Sequence, residues 1–224
     1  MRIALSPDGW KEISALTVIL GAAALCGALW FPPLAYVAVP LWIGGVLFFR
    51  DPHRPVPDDP NVIVAPADGK ITAVERLEND PDHDGPVWRI SIFLSVLDVH
   101  INRLPYAAKV LSISHRPGRF VNAMSPRSAE VNESNTLVLE PLNGLHGPLI
   151  VKQIAGLLAR RIVCHARVGD ELQIGQRFGM IKFGSRTDMT LPDDDSIRIT
   201  VRPGDTVRAG RSVIARFQPP ANGN

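Results

Sequence analysis

Cysteine is scarce: Cys26 and Cys164 are the only two in 224 residues. The first lies in an apolar run and the second in a strand-like stretch. A disulfide framework is therefore excluded as the basis of the fold, and a reducing compartment is expected. C-x-x-C pairs are missing. The six histidines, His53, His83, His100, His115, His146 and His165, never fall in H-x-H or H-x-x-x-H spacing, so the usual signatures of a zinc centre are absent and only a site assembled in space would remain. A surplus of one charge is missing too. With 24 basic and 22 acidic residues the net charge is +2 and the pI about 8.7. That is too mild for the clustered basic face of a nucleic-acid binder, and no nucleic-acid partner is expected.

Charge of either sign is absent from residue 13 to residue 49. A helix rises ~1.5 Å per residue and crosses the hydrocarbon core with about 20 residues, so this run is too long for one simple span. Pro32 and Pro33 divide it, because proline removes a donor and clashes with the preceding turn. The expectation is a hydrophobic helical hairpin, residues 13–31 and 34–49, within a membrane-anchoring segment covering residues 1–50. Its short second half would also suit a re-entrant segment. Arg2 and Lys11 precede the run and Arg50 and Arg54 follow it. By the positive-inside tendency both ends lie on the cytoplasmic side of the cell membrane, with Trp30 and Trp42 suited to its interfaces. A cleaved signal peptide fits less well: its apolar region spans about 7–15 residues and ends at small residues, whereas this run ends in Phe48-Phe49-Arg50.

Residues 51–224 have a different texture. The chain's 20 prolines and 18 glycines separate short runs rich in valine and isoleucine, at 62–64, 70–74, 88–94, 109–114, 136–140 and 149–155. Many turns joining many short strands predict a mostly β domain. One pattern returns at an offset of 35 residues (169 to 204, 175 to 210, 178 to 213): Gly169-Asp170-Glu171-Leu172 with Gly175 and Phe178, then Gly204-Asp205-Thr206-Val207 with Gly210 and Val213. Each copy reads as a tight hairpin whose glycines supply positive φ, and two copies suggest a sandwich of quasi-symmetric halves. Ala65-Pro66-Ala67-Asp68-Gly69-Lys70-Ile71 resembles the entry strand and turn of barrel-sandwich hybrid folds. A barrel-sandwich hybrid-like domain with internal duplicated hairpins is therefore expected.

Carrier domains of that class present a lysine at a hairpin tip, whereas Lys70 and Lys182 fall inside strand-like runs. The step that stands out is Phe183-Gly184-Ser185-Arg186-Thr187-Asp188. Alone, a Gly-Ser pair is an ordinary turn whose hydroxyl satisfies a backbone amide. It belongs, however, to an ordered set: Pro66-Ala67-Asp68-Gly69; residues 94–105, with His100 and Arg103; Arg116-Pro117-Gly118-Arg119-Phe120; Asn132-Glu133-Ser134-Asn135; and residues 178–186. In order and spacing these motifs resemble the phosphatidylserine decarboxylase proenzyme family, in particular its short prokaryotic branch, from about Phe49 to Phe217.

The resemblance implies autocatalytic cleavage between Gly184 and Ser185, giving a large chain (1–184) and a small chain (185–224). Ser185 would become a covalent pyruvoyl group. Ser185, His100 and Asp68 would be catalytic, and the substrate would be phosphatidylserine, reached among membrane lipids from the cytoplasmic face. Glycine before the serine leaves its carbonyl open to attack. Longer members carry two histidines three residues apart. Here those positions read His100 and Arg103, so the self-cleavage base is either His100 itself, Asp68, or His115. Arg103 becomes the candidate for the substrate phosphate, with Arg116, Arg119 and Arg186 nearby in the motifs. His53, His83 and His146 are read as packed or hydrogen-bonded core rings. A homodimer is left open. Two other readings compete: a membrane-anchored barrel-sandwich adaptor, and a membrane-bound metallo-endopeptidase that would gather His and Asp around zinc.

Overall fold

The computed structural model describes residues 3–80, 83, 85–125, 127–157, 161–182 and 184–218. Phe183, at the head of the glycine-serine motif, lies outside them. The chain divides into two compact units, Met1–His53 and Arg54–Asn224.

In the first unit β1 (Ile3–Leu5) pairs antiparallel with β2 (Arg50–Pro52), and between them lie α1 (Trp10–Trp30) and α2 (Pro32–Phe48). The two helices pack antiparallel. Trp42 Nε1 donates to Thr17 Oγ1 at 2.9 Å, and the α-carbons of Gly27 and Gly45 sit close to Ala35 and Leu16. The break comes where proline demands it, but α2 begins on Pro32 rather than beyond Pro33, since a helix tolerates proline in its first turn. Pro40 is carried inside α2. The helical stretch Pro7–Trp30 contains an 18-residue window of mean hydropathy 2.0 and is long and apolar enough to cross a membrane.

The second unit is mostly β. Its elements are β3 (Val62–Val64), β4 (Gly69–Leu77), β5 (Val87–Leu94), β6 (Ile101–Arg103), β7 (Ala108–Arg116), α3 (Ser128–Val131), β8 (Ser134–Pro141), β9 (Leu149–Ile154), β10 (Ile162–Cys164), β11 (Glu171–Leu172), β12 (Arg177–Ile181), β13 (Ser185–Pro192), β14 (Ile197–Ile199), β15 (Thr206–Val207) and β16 (Val213–Phe217). An eight-stranded antiparallel sheet runs β11-β7-β8-β9-β13-β5-β4-β15, with two three-stranded sheets, β10-β12-β6 and β14-β16-β3. Side chains alternate across each strand. Ile90, Ile92 and Leu94 of β5, Leu137 and Leu139 of β8, Leu149 and Val151 of β9, and Met189 and Leu191 of β13 therefore line one buried core.

The sheet order is symmetric about the β9–β13 contact. Strands β6 to β12 form one half in unbroken sequence, and β3, β4, β5, β13, β14, β15 and β16 form its counterpart, split around the first. Matching hydrogen bonds bear this out: Val64 N–H donates to Pro105 O and Arg103 N–H to Pro66 O, while Gly169 N–H donates to Val110 O and Gly204 N–H to Ile71 O. The repeat is thus structural, but its copies are not hairpins. In each copy the first strand (β11 or β15) closes an edge of the large sheet by pairing with β7 or β4, and the second (β12 or β16) becomes the centre of a small sheet. Gly169 and Gly204 have φ of 92° and 100°, and Gly175 and Gly210 of 74° and 71°. The glycines are legible in the sequence, but the hairpin expectation fails, because each glycine turn sends the chain to a different sheet.

Gly69 opens β4 with φ 142°, and a Cβ there would lie 2.0 Å from the Phe93 carbonyl oxygen. Alanine would meet both backbone strain and a backbone clash, each costing about 1–3 kcal/mol. In an uncleavable Ser185→Ala background, Gly69→Ala should lower unfolding free energy by about 3 kcal/mol, read from the denaturant midpoint; an unchanged midpoint would contradict this account of the turn.

Candidate active site

The chain crosses between the two halves at two places, and chemistry-bearing residues stand at both. The first crossing, after β5, carries His100. Its turn is fixed by the Asp98 carboxylate, which accepts hydrogen bonds from Ser95 N–H (2.8 Å) and Ser95 Oγ (2.7 Å). The second crossing, before β13, carries Gly184 and Ser185. Gly184 has φ 64°, a left-handed conformation that glycine takes without steric cost, and its N–H donates to His100 Nε2 at 3.3 Å. With Nε2 accepting, the ring proton lies on Nδ1 and is donated to the Asp98 carbonyl at 3.0 Å. His100 is wholly buried.

Ser185 is the first residue of β13, paired with Leu94, and shares the core-facing side with Thr187 and Met189 by alternation. It too is fully buried, and its Oγ is the one buried hydroxyl without a hydrogen-bond partner among the described residues. Leaving a buried hydroxyl unpaired costs about 1–3 kcal/mol, so its retention beside a histidine calls for a chemical reason.

Toward Ser185 the core face turns polar. Asn135 Nδ2 donates to Gln153 Oε1 (2.9 Å), Gln153 Nε2 to Asn102 Oδ1 (2.9 Å), and Asn102 Nδ2 to Thr187 Oγ1 (3.2 Å). All four side chains are buried. This layer was missed in the sequence; the available signal was a polar residue at the inward position of an otherwise apolar strand, as at Gln153 after Leu149 and Val151.

Asp68 and Arg103 have other partners. Asp68 makes a two-pronged ion pair with Arg54, whose Nη2 lies 2.6 Å from Oδ2, and accepts the Ala209 N–H at 2.9 Å. Arg54 also donates to the Ala209 carbonyl at 3.2 Å. Arg103 donates to the Gly175 carbonyl at 3.1 Å and packs beside Gly210. Both residues thus stand where the two glycine units meet. Arg186 is held by Asp188 and Ser91, Arg116 donates to the Ala129 carbonyl, and Arg119 is exposed. His115 lies on the surface against Glu133 at 3.1 Å. Burial pushes the Cys164 thiol up from its ordinary value, which disfavours the thiolate. Among the described residues no cluster of three or more His, Cys, Asp or Glu is arranged to hold a metal.

The Arg54–Asp68 pair is almost completely enclosed. Removing one member of such a pair strands the other charge and costs about 3–5 kcal/mol. Arg54→Met in the Ser185→Ala background should therefore lower the denaturant midpoint markedly, whereas a loss under about 1 kcal/mol, typical of surface pairs, would show that the pair is solvated.

The family model described as phosphatidylserine decarboxylase matches residues 45–215. Three proteins named phosphatidylserine decarboxylase proenzyme are similar over nearly their whole lengths. That of Pelobacter propionicus is 42% identical over 210 residues, spanning 93% of this chain and 92% of its own. The Desulfotalea psychrophila protein is 42% identical over 204 residues, 91% of each chain. The Gluconacetobacter diazotrophicus protein is 46% identical over 205 residues, 88% of this chain and 89% of its own. With a matched region that takes in His100, Gly184 and Ser185 together, this chain belongs to the phosphatidylserine decarboxylase family.

Proposed function

We propose that this chain is a proenzyme that cuts itself between Gly184 and Ser185, turns Ser185 into a pyruvoyl group, and decarboxylates phosphatidylserine to phosphatidylethanolamine with release of carbon dioxide. The observation that carries the reading is the buried, unpartnered Ser185 Oγ beside a left-handed Gly184 whose N–H points at His100 Nε2. Family membership favours this reading over an adaptor or a metallo-endopeptidase.

Self-cleavage needs a base for the serine hydroxyl. On this reading Ser185 Oγ adds to the Gly184 carbonyl carbon, its proton passes to His100 Nε2 and on to the Ser185 nitrogen, and the C–N bond breaks to leave an ester. Loss of the Ser185 Cα proton with departure of the Gly184 carboxylate gives dehydroalanine. Water then replaces its nitrogen, releasing ammonia and leaving the pyruvoyl carbonyl at the head of the small chain. That carbonyl supplies the electron sink for loss of carbon dioxide. His100 serves both stages: it moves the hydroxyl proton during self-cleavage and later protonates the carbon that has lost its carboxylate. Asp68 and Arg103 support the junction of the glycine units in this reading, because their hydrogen bonds go to Arg54, Ala209 and Gly175.

A lipid substrate suits the surroundings. Leu97, Met124 and Leu157 are 83%, 61% and 62% exposed, and each is close in sequence to a residue lining the scissile peptide: Leu94, Ala123 and Gly156 respectively. The amino-terminal helices would tether the enzyme to the membrane, and the basic residues flanking them favour the cytoplasmic face.

Intact-mass measurement of detergent-purified protein should show two chains, residues 1–184 and a 40-residue fragment 185–224 blocked by a pyruvoyl group. Ser185→Ala should remain whole and release no carbon dioxide from phosphatidylserine, and His100→Ala should slow cleavage by about 100-fold or more. A folded wild-type chain that stays uncut would sink the proposal.

A further inference from the structure

We infer that Gly156 and Asn132 are positioning residues for self-cleavage, forming the slot that aims the Gly184 carbonyl; the inference rests on the cleavage proposed above. Strands β9 and β13 are paired in register as Gln153 with Thr187 and Ile154 with Arg186. Continuing that register sets residue 156 against residue 184. The ladder is not continued there. Ala155 faces β8, giving its N–H to the Glu133 carbonyl at 2.9 Å one rung beyond the Ser134–Ile154 pair and receiving Asn132 Nδ2 on its own carbonyl at 2.7 Å. The left-handed Gly184 turns its carbonyl toward Gly156. Its oxygen lies 1.9 Å, and its carbon 3.0 Å, from the point where a Cβ on residue 156 would stand. The scissile carbonyl thus occupies the volume of the side chain that glycine lacks.

Ala123 closes the slot from one side, with its Cβ 3.3 Å from the same point. Asn132 ties that wall to the floor. It is fully buried; its Oδ1 accepts Val121 N–H at 2.9 Å, and its Nδ2 donates to Val121 O at 2.8 Å as well as to Ala155 O. Ser128 Oγ holds the Ala123 carbonyl at 3.0 Å. Asn132 opens the Asn132-Glu133-Ser134-Asn135 motif, and in this geometry its side chain holds Val121–Ala123 and Ala155–Gly156 at a fixed separation around the carbonyl. An alanine at 156 would push the carbonyl out, and displacement of a reacting atom by about 1 Å can cost about 100-fold in rate.

The sequence contains a single Gly-Ser step, Gly184-Ser185. Full-length protein made in detergent with heavy carbon at glycine carbonyls and heavy nitrogen at serine therefore gives one doubly labelled peptide signal by NMR. Decay of that signal follows rupture of the scissile bond. We expect decay slowed by about 100-fold or more in Gly156→Ala and about 10-fold in Asn132→Asp, which keeps the shape but loses the amide donors. Both delays should persist at a temperature where the variants are as fully folded as wild type. Hydroxylamine, which severs an ester, should not cut either variant, because the defect precedes ester formation. A folded variant that cleaves at the wild-type rate, or one that accumulates a hydroxylamine-sensitive ester, overturns the inference. Should Gly156→Ala fail to fold, Asn132→Asp decides. If the wild-type signal never decays, the cleavage reading fails instead; the slot is then judged by the Gly184 carbonyl shift, which Gly156→Ala must move and which overturns the inference if it stays put.

Discussion

The ladder that β13 makes with β5 on one side and β9 on the other fixes nearly everything else about the site. It joins the two quasi-equivalent halves at their axis of symmetry, sets Ser185 as its first rung opposite Leu94, and by strand alternation turns that serine toward the core. It also explains how a cut chain would stay assembled. A break before Ser185 leaves β13 hydrogen-bonded along its length to two strands of the large chain, and leaves β15 and β16 paired with β4 and β3. The small chain would remain as the missing part of a half whose first three strands belong to the large one.

Two buried ion pairs are matched in the second unit, Arg54 with Asp68 and Arg186 with Asp188. Such pairs seldom add net stability over apolar packing, but they are costly to break, so they fix geometry. Around Ser185 the polar layer is built from neutral amides and hydroxyls instead: Asn135, Gln153, Asn102 and Thr187. Neutral groups with satisfied hydrogen bonds can be buried at modest cost, and they leave the histidine as the group best placed to move a proton.

Much of this was legible in the sequence and some was not. The apolar helices, the change of texture after them, the four repeated glycines and the Gly184-Ser185 step could all be read directly, because each depends on local chemistry: length in a bilayer, proline geometry, positive φ. The pairing of the repeated strands could not, since nothing local tells β11 to join β7 rather than β12. Asp68 and Arg103 were singled out by motif, and the sequence held no sign that Arg54, Ala209 and Gly175 would be their partners, which depends on the two glycine units meeting in space. Pro66 and Pro105, each a strand entry with a lysine four residues on at Lys70 and Lys109, were a detectable second trace of the duplication.

On the proposed reading a single histidine would be enough for two reactions, because they would occur in succession on the same nitrogen. In the uncut chain His100 Nε2 is engaged by the Gly184 N–H, and the Asp98 carbonyl holds the ring in the tautomer that leaves Nε2 basic. Rupture of the next peptide bond would make Gly184 a chain end and free it from the constraint of β13. Nothing then obliges its N–H to stay on the imidazole. The nitrogen that faced the scissile peptide would be left facing the head of the small chain, where the second reaction takes place. On the same reading, arginine at position 103, where the family resemblance leads one to expect a second histidine, would leave both proton transfers to His100, because they would never compete for it at the same moment.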